Sequence, residues 1–308
     1  MKGLKNKNNM ILAALFCMFL WGSAFPVLKL SYETLNIPAE SYGPKLFYAG
    51  CRFFLAGILV LLYSLFRRRK IKIKKGDGSW IILIGFLQIF LQYLFFYIGV
   101  GNTTGIKSSI IQAGSSFFTV ILAHFFITGD HLTMNKITAL ILGFSGIIIA
   151  NWSKGFGGGF SFNGEGFLLI STLISSFAGI LVKRKGDLDP FALTAGQMII
   201  GSLFLLSTAM MTKNHNIIWT GKGIILLLYS GFLSATAFVL WYHLLLLHPI
   251  GELAVYRLFI PIFGALLSAL FLPEERFTFQ LLTGLILVSI ASSRIYLPMK
   301  GAQKKGNQ

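Results

Sequence analysis

The sequence predicts an all-α integral membrane protein, with ten transmembrane helices arranged as a five-plus-five inverted repeat. Three observations predict it: a shortage of charge, a succession of long apolar runs, and a second half that repeats the first. Of the 308 residues, 55% are hydrophobic and only 12% are charged. A soluble protein needs roughly 25% charged residues. Most of this chain's surface must therefore face something apolar.

A helix needs about 20 apolar residues to cross a bilayer. Such runs lie near 10–30, 46–66, 79–99, 106–127, 136–153, 166–183, 191–211, 223–246, 252–272 and 277–297, with the fifth and sixth the shortest. The first follows Lys2, Lys5 and Lys7 as a secretory signal would. It is long for a signal, however, and no small-residue cleavage site follows it. The later spans are separated by turn and polar segments such as NIPAESYGP, RRRKIKIKKGDG, KGFGGGFSFNGEG and KRKGDLDP, none long enough to fold alone. Helices are expected because backbone groups in a bilayer must be paired within their own segment.

Charge sets the orientation. With the N-terminus inside, the cytoplasmic segments hold Lys2, Lys5, Lys7, the basic run 67–75, Lys136, Lys183 to Lys185, and Lys300, Lys304 and Lys305. The outer segments hold Lys45, Lys107, Lys154, Lys213, Lys222 and Arg276. This bias places both termini in the cytoplasm, and short loops with Lys-rich ends point to a plasma (inner) membrane. The run 67–75 is then a topology signal beside anionic headgroups. No nucleic-acid partner is expected, because no folded platform accompanies those charges.

Shifted by 145, the second quarter of the chain lies over the fourth. RFFLAGILVL (52–61) falls on QMIIGSLFLL (197–206), Phe96-Tyr97 on Trp241-Tyr242, Ser116 on Pro261, and Asp130 opposite Glu275. With a different shift, FLWGSAFPVLK (19–29) faces LISSFAGILVK (173–183). The reading is a first repeat over 1–153, an external linker over 154–165, a second repeat over 166–297 and a cytoplasmic tail over 298–308. Five helices per half is an odd number, so the halves enter the membrane from opposite sides. Transporters use this device and place the substrate near mid-membrane between the halves.

The WGSAFP segment with Lys29, Arg52 early in the second span, the stretch from Pro261 to Glu274-Glu275 and the paired halves resemble the EamA-type transporters of the drug/metabolite transporter superfamily. The resemblance covers residues 10–297. Ser116 and Asp130 depart from it, standing where the family usually has proline and glutamate. The resemblance implies efflux or exchange of amino acids or related small metabolites. It also implies a cavity lined mainly by spans 1, 3, 4, 6, 8 and 9.

Polar residues inside a membrane point to a cavity or a partner. Arg257, Pro261, Gly264 and Ser268 share one face of the ninth span, and Gln112, Ser116, Thr119 and Ala123 the matching face of the fourth. Gln88 and Gln92 lie four apart in the third span, and Ser230, Ser234, Ala237 and Trp241 share a face of the eighth. The expected substrate-binding set is Gln88, Gln92, Gln112, Ser116, Thr119, Trp241, Tyr256 and Arg257. For the small and hydroxyl residues, close helix packing is the competing reading. Arg257 either meets an anionic substrate group or pairs with Glu252. Arg52 is expected to snorkel outward, Lys29 and Lys183 to anchor at the interfaces, and His124 and His243 to be hydrogen-bonded packing residues rather than proton relays. Pro26 and Pro261 each remove a helix hydrogen bond and are expected hinges.

Cys17 and Cys51 show neither metal-ligand spacing nor a disulfide framework, and no cofactor or metal is expected. An enzyme finds no HExxH or GxSxG, and GFGGGF (155–160) lacks the ending of a phosphate loop. The predicted function is a transporter that exports or exchanges small metabolites by alternating access. A flippase of a lipid-linked substrate and, last, an integral membrane enzyme are the alternatives. The expected partners are a small-molecule substrate and the lipid bilayer, and the expected assembly is a monomer or homodimer.

Overall fold

The computed structural model describes residues 2–38, 41–102, 111–150, 160–212, 214–272 and 279–294. Among these residues the structure is helical, with no strand. The helices are α1 (Lys7–Thr34), α2 (Tyr42–Phe66), α3 (Asp77–Ile84), α4 (Gln92–Gly101), α5 (Ser115–Phe126), α6 (Met134–Ala150), α7 (Phe167–Lys185), α8 (Pro190–Met210), α9 (Gly221–Leu247), α10 (Ile250–Tyr256), α11 (Phe259–Phe271) and α12 (Phe279–Arg294). A π-helical turn, Gly85–Leu91, joins α3 to α4, and a second, Phe162–Gly166, leads into α7.

Among the described residues seven helical segments are long and apolar enough to cross a membrane: Lys7–Thr34, Tyr42–Phe66, Asp77–Val100, Phe162–Lys185, Pro190–Met210, Gly221–Leu247 and Ile250–Phe271. Ile111–Phe126 and Met134–Ile149 are shorter apolar helices. The sixth run, expected to be among the shortest, forms a segment of 24 residues because the turn Phe162–Gly166 extends it backwards into the predicted linker. Most of that linker, residues 154–159, and the predicted tail lie outside the described residues, as does Glu275.

Small residues decide which helices touch. Without a hydrophobic drive between helices in lipid, close backbone approach and hydrogen bonding hold them together. Helices α2 and α8 run antiparallel: Gly43 abuts Thr212 and Asn214, Gly50 abuts Leu206, and Gly57 abuts Ile199. Helix α6 lies on α12 in the same way, with Gly143 near Ala291 and Gly146 against Gly284. Helix α1 packs between α9 and α11, where Cys17 Sγ donates to Ala237 O at 3.6 Å and Gly22 meets Gly264. Helix α7 packs between α4 and α5, where Ser171 Oγ donates to Gln92 O at 3.0 Å and Ser176 Oγ to Ser115 O at 2.9 Å.

These pairings survive exchange of the halves. Helix α2 pairs with its own repeat mate α8, and α6 with α12. The contacts of α1 with α9 and α11 become those of α7 with α4 and α5. The sequence repeat is thus a repeat of packing. Large apolar side chains such as Leu65, Phe125, Phe204 and Ile225 point outward on the resulting bundle.

The segments predicted to be cytoplasmic meet at one end of it. His248 Nε2 lies 2.8 Å from Leu4 O. Arg69 pairs with Asp189 at 3.2 Å and its guanidinium lies over Phe191, 4.1 Å from the ring centre. Lys74 pairs with Asp187 at 2.7 Å, and Lys185 holds both Asp187 and Asp77. Asp189 also caps α8, accepting from Phe191 N at 2.9 Å and Ala192 N at 3.2 Å. The basic run therefore has an acidic counterpart at 187–189. Nearby, Lys136 pairs with Asp130, whose second oxygen accepts from Gly251 N at 2.8 Å. The segments predicted to be outside meet at the other end, where Phe47 approaches His215, Tyr48 approaches Trp219, and Asn102 donates to Tyr42 at 2.7 Å.

Two outcomes follow from this packing. A Cβ on Gly201 would sit 2.4 Å from Ile89 Cβ and 2.6 Å from the Gly85 carbonyl oxygen, so Gly201→Ala is expected to destabilise by about 1–3 kcal/mol. Gly78→Ala, at an open position in α3, is expected to be neutral or to stabilise by up to ~1 kcal/mol. Thermal denaturation in detergent compares the two. Hydrogen bonds and charge from Lys185 and Lys74 hold the exposed Asp187 carboxyl down from 3.8 to about 2. A depressed carboxylate stabilises above its ordinary value and loses that effect as it protonates. The loop contact between 74 and 187 is therefore expected to be constant near neutrality and to loosen as the pH falls from about 4 to about 2. Hydrogen exchange of residues 185–189 reads this.

Candidate functional site

Three departures from regular α-helix converge at the centre of the bundle. Pro261 lacks the N–H that would reach the Arg257 carbonyl, and its ring crowds that carbonyl. Accordingly the chain tightens there to bonds three residues apart: Arg257 N to Ala254 O, Leu258 N to Val255 O and Ile260 N to Arg257 O, each 3.1 Å. This break separates α10 from α11. In the other half, residues 111–113 are helical and a turn at Gly114 precedes α5, with Gly114 N bonding Ile111 O at 2.9 Å. The repeat shift places Gln112 on Arg257, so the helices are interrupted at matching points. Interrupted helices in corresponding positions of two repeats mark transporter binding sites. The third departure is the π-helical turn Gly85–Leu91, and such turns often occur at functional sites.

A cavity of about 130 Å³ lies where these features meet. Helix α1 contributes Trp21, Ala24, Phe25 and Leu28, and α2 contributes Arg52. The π turn and α4 add Gln88, Gln92, Tyr93 and Phe96, the helical stretch 111–113 adds Gln112 and Ala113, and the start of α5 adds Ser115. Ser175 and Gly179 come from α7, Phe238, Trp241 and Tyr242 from α9, and Arg257, Ile260 and Pro261 from the broken helix. The contributing elements are α1, α2, the π turn with α4, α5, α7, α9 and the α10–α11 break.

The polar groups fall into one chain of hydrogen bonds through Ser175 and two separate pairs. Gln88 donates to Gln92 and, at 3.3 Å, to Ser175 Oγ. Arg257 Nη2 donates to the same Ser175 Oγ at 3.2 Å. Arg52 Nε donates to Ser234 Oγ at 3.0 Å, and Tyr242 donates to Gln197 at 2.8 Å. Trp21 meets Trp241 edge-on at 5.5 Å and Phe238 at 5.4 Å. The cavity thus has an apolar aromatic wall and a hydrogen-bonding wall, the pattern of a site for a small organic molecule with a polar end.

Of the residues proposed from sequence, Gln88, Gln92, Gln112, Trp241, Arg257 and Pro261 line this cavity. Ser116, Thr119 and Tyr256 do not line it: they are buried in the packing beside it. Pro26 sits inside α1, which continues unbroken from Lys7 to Thr34. Among the described residues Arg257 has Ser175 as its partner, and no ion pair with Glu252 forms. Arg52 does not snorkel. It is 3% exposed and points inward, because its position early in α2 faces α9 and the cavity rather than lipid. Lys183 donates to Leu245 O at 2.6 Å and His248 O at 2.7 Å, so it caps the end of α9 as well as lying near an interface. His124 is exposed at the end of α5, and His243 bonds Val239 O at 2.7 Å. Arg52, Tyr93, Ser175 and Tyr242 were not anticipated. The repeat carried the signal for two of them: Arg52 overlies Gln197, and Tyr97 overlies Tyr242.

Comparison with known proteins agrees with this architecture. The model of the EamA-like transporter family matches residues 8–152 and again 162–297. A Bacillus subtilis protein described as uncharacterized transporter YvbV is 30% identical over 297 residues, covering 94% of this chain and 91% of its own. A Chlamydia muridarum protein described as an S-adenosylmethionine/S-adenosylhomocysteine transporter is 24% identical, covering 83% and 82%. A solved crystal structure shares the fold at a TM-score of 0.77 and 14% identity, over 94% of this chain and 97% of that one. The twofold match of the family model, one to each half, shows that the chain belongs to the EamA-like transporter family and is a membrane transporter.

Proposed function

We propose that this transporter exports or exchanges a small organic metabolite, amino acids and related compounds being the first class to test, by alternating access through the central cavity. In this reading ten helices cross a plasma membrane as two inverted five-helix halves, with both termini in the cytoplasm. The observation that carries it is the pair of matching interruptions, at Gly114 and at Arg257–Leu258, around one cavity. An interrupted helix releases backbone groups and supplies a natural bending point, which is what alternating exposure of a midplane site requires. Pro261 lies beside the interruption in α11 and is assigned the hinge. Pro26, in the continuous α1, is assigned the same role in the opposite half.

Gln88, Gln92, Gln112, Trp241 and Arg257 are assigned to substrate contact, and Ser116, Thr119 and Tyr256 to the packing that holds them. The size of the cavity supports a compact solute over a lipid-linked one, since even drug-sized ligands need roughly 300–1,000 Å³.

Counterflow in proteoliposomes preloaded with a labelled mixture of amino acids and related small metabolites tests the proposal. Wild type is expected to exchange label, and Gln92→Ala and Pro261→Ala to slow exchange at least about tenfold, a rise of roughly 1.4 kcal/mol in the barrier. Normal rates in both variants, with normal insertion, would remove the cavity and the hinge from the mechanism.

A further inference from the structure

We infer that the cavity is built to hold a small organic dianion, gripped by one arginine from each half of the protein. The inference rests on the transport reading above and moves its substrate class from amino acids in general to small dianions.

Arg52 and Arg257 line the same cavity, one from α2 and the other from the break between α10 and α11. Each guanidinium carries five N–H donors and stays charged at any physiological pH. Their protein partners are few and neutral. Arg52 Nε donates to Ser234 and Arg257 Nη2 to Ser175. Arg257 Nε is buried with no hydrogen-bond partner among the described residues. No described carboxylate lies within salt-bridge distance of either arginine, and the cavity lining contains no aspartate or glutamate. The site therefore carries two positive charges whose counter-charge has to come from outside the described protein. A buried charge without a partner is costly, and a bound anion removes that cost.

The repeat explains the placement. Position 52 corresponds to 197 and position 112 to 257, and these four positions hold Arg and Gln in the first pair, Gln and Arg in the second. Each half thus brings one arginine to the cavity; Gln112 lines it too, while Gln197 sits behind Tyr242. Gln197 accepts from Tyr242, and Tyr93 lines the same cavity as Arg52 and Arg257. A ligand seated there touches both halves and meets forked donors suited to carboxylate or phosphate oxygens. Trp21, Trp241 and Phe238 form the apolar wall for its carbon skeleton. A zwitterion would leave its ammonium without a carboxylate, and a cation would be repelled. Dicarboxylates and phosphomonoesters share the required chemistry.

Thermal stabilisation in detergent and counterflow in proteoliposomes, both with succinate, glycerol 3-phosphate, alanine and lysine as probes, test the inference. Succinate or glycerol 3-phosphate is expected to stabilise the protein and to exchange, and the better of the two identifies the head group. Arg52→Gln and Arg257→Gln are each expected to raise the half-saturating concentration at least tenfold. Arg52→Lys and Arg257→Lys, which keep the charge and guard against a folding defect, are expected to recover part of the loss. Exchange of alanine or lysine that ignores both substitutions would overturn the dianion site and leave the transport reading standing. Stabilisation by a dianion without exchange would leave the site and sink the transport reading. No stabilisation by either dianion would overturn the inference.

Discussion

The constraint on which everything else depends is that a backbone amide in hydrocarbon must find its hydrogen bond inside the protein. It makes helix the one regular structure among the described residues. It also limits where a helix can be interrupted, because irregular backbone survives at membrane depth only when buried in protein or lining a cavity. The π turn Gly85–Leu91, the turn at Gly114 and the break at Arg257–Leu258 all obey that limit and meet at one place. The cavity is therefore a consequence of where regular helix fails, and Pro261 shows a single residue causing such a failure.

A second layer of the argument concerns how the halves hold together without a hydrophobic drive. Glycines at 43, 50 and 57 bring α2 onto α8, and Gly22 brings α1 onto α11. Every one of these contacts joins one half to the other. Among the described residues the halves interleave, and the cavity lies in the seam. Movement of the seam must then break and remake contacts at the two ends. At the end predicted to be cytoplasmic these are the ion pairs of Arg69, Lys74 and Lys185, and the hydrogen bond from Gly251 N to Asp130. Such pairs have discrete arrangements and suit a two-state element.

Much of the fold was legible because its signals are local or periodic. Apolar runs of the right length gave the helices, and the shift of 145 gave the pairing of Gln112 with Arg257 and of Arg52 with Gln197. The site was legible where a residue type is expensive in lipid: Gln88, Gln92, Gln112 and Arg257 line the cavity. It was not legible where direction matters more than type. Arg52 sits within reach of an interface, where snorkelling and inward burial give the same sequence, and only the approach of α9 decides between them. Ser116 and Thr119 lie on the expected face, but the turn at Gly114 tilts that face into helix packing. Ser175 joins Gln88 to Arg257 across the two halves, a contact between residues far apart in the chain that no spacing rule reveals.

Accessibility of the cavity from each side of the membrane tests the central claim most directly. Ala24 lines the cavity, and Ala24→Cys in a background lacking Cys17 and Cys51 places one thiol there. In oriented vesicles, a membrane-impermeant thiol reagent is expected to reach it from both faces, with the two rates shifting in opposite directions when a solute gradient is imposed. Reaction from one face alone under every gradient would contradict alternating access through this cavity.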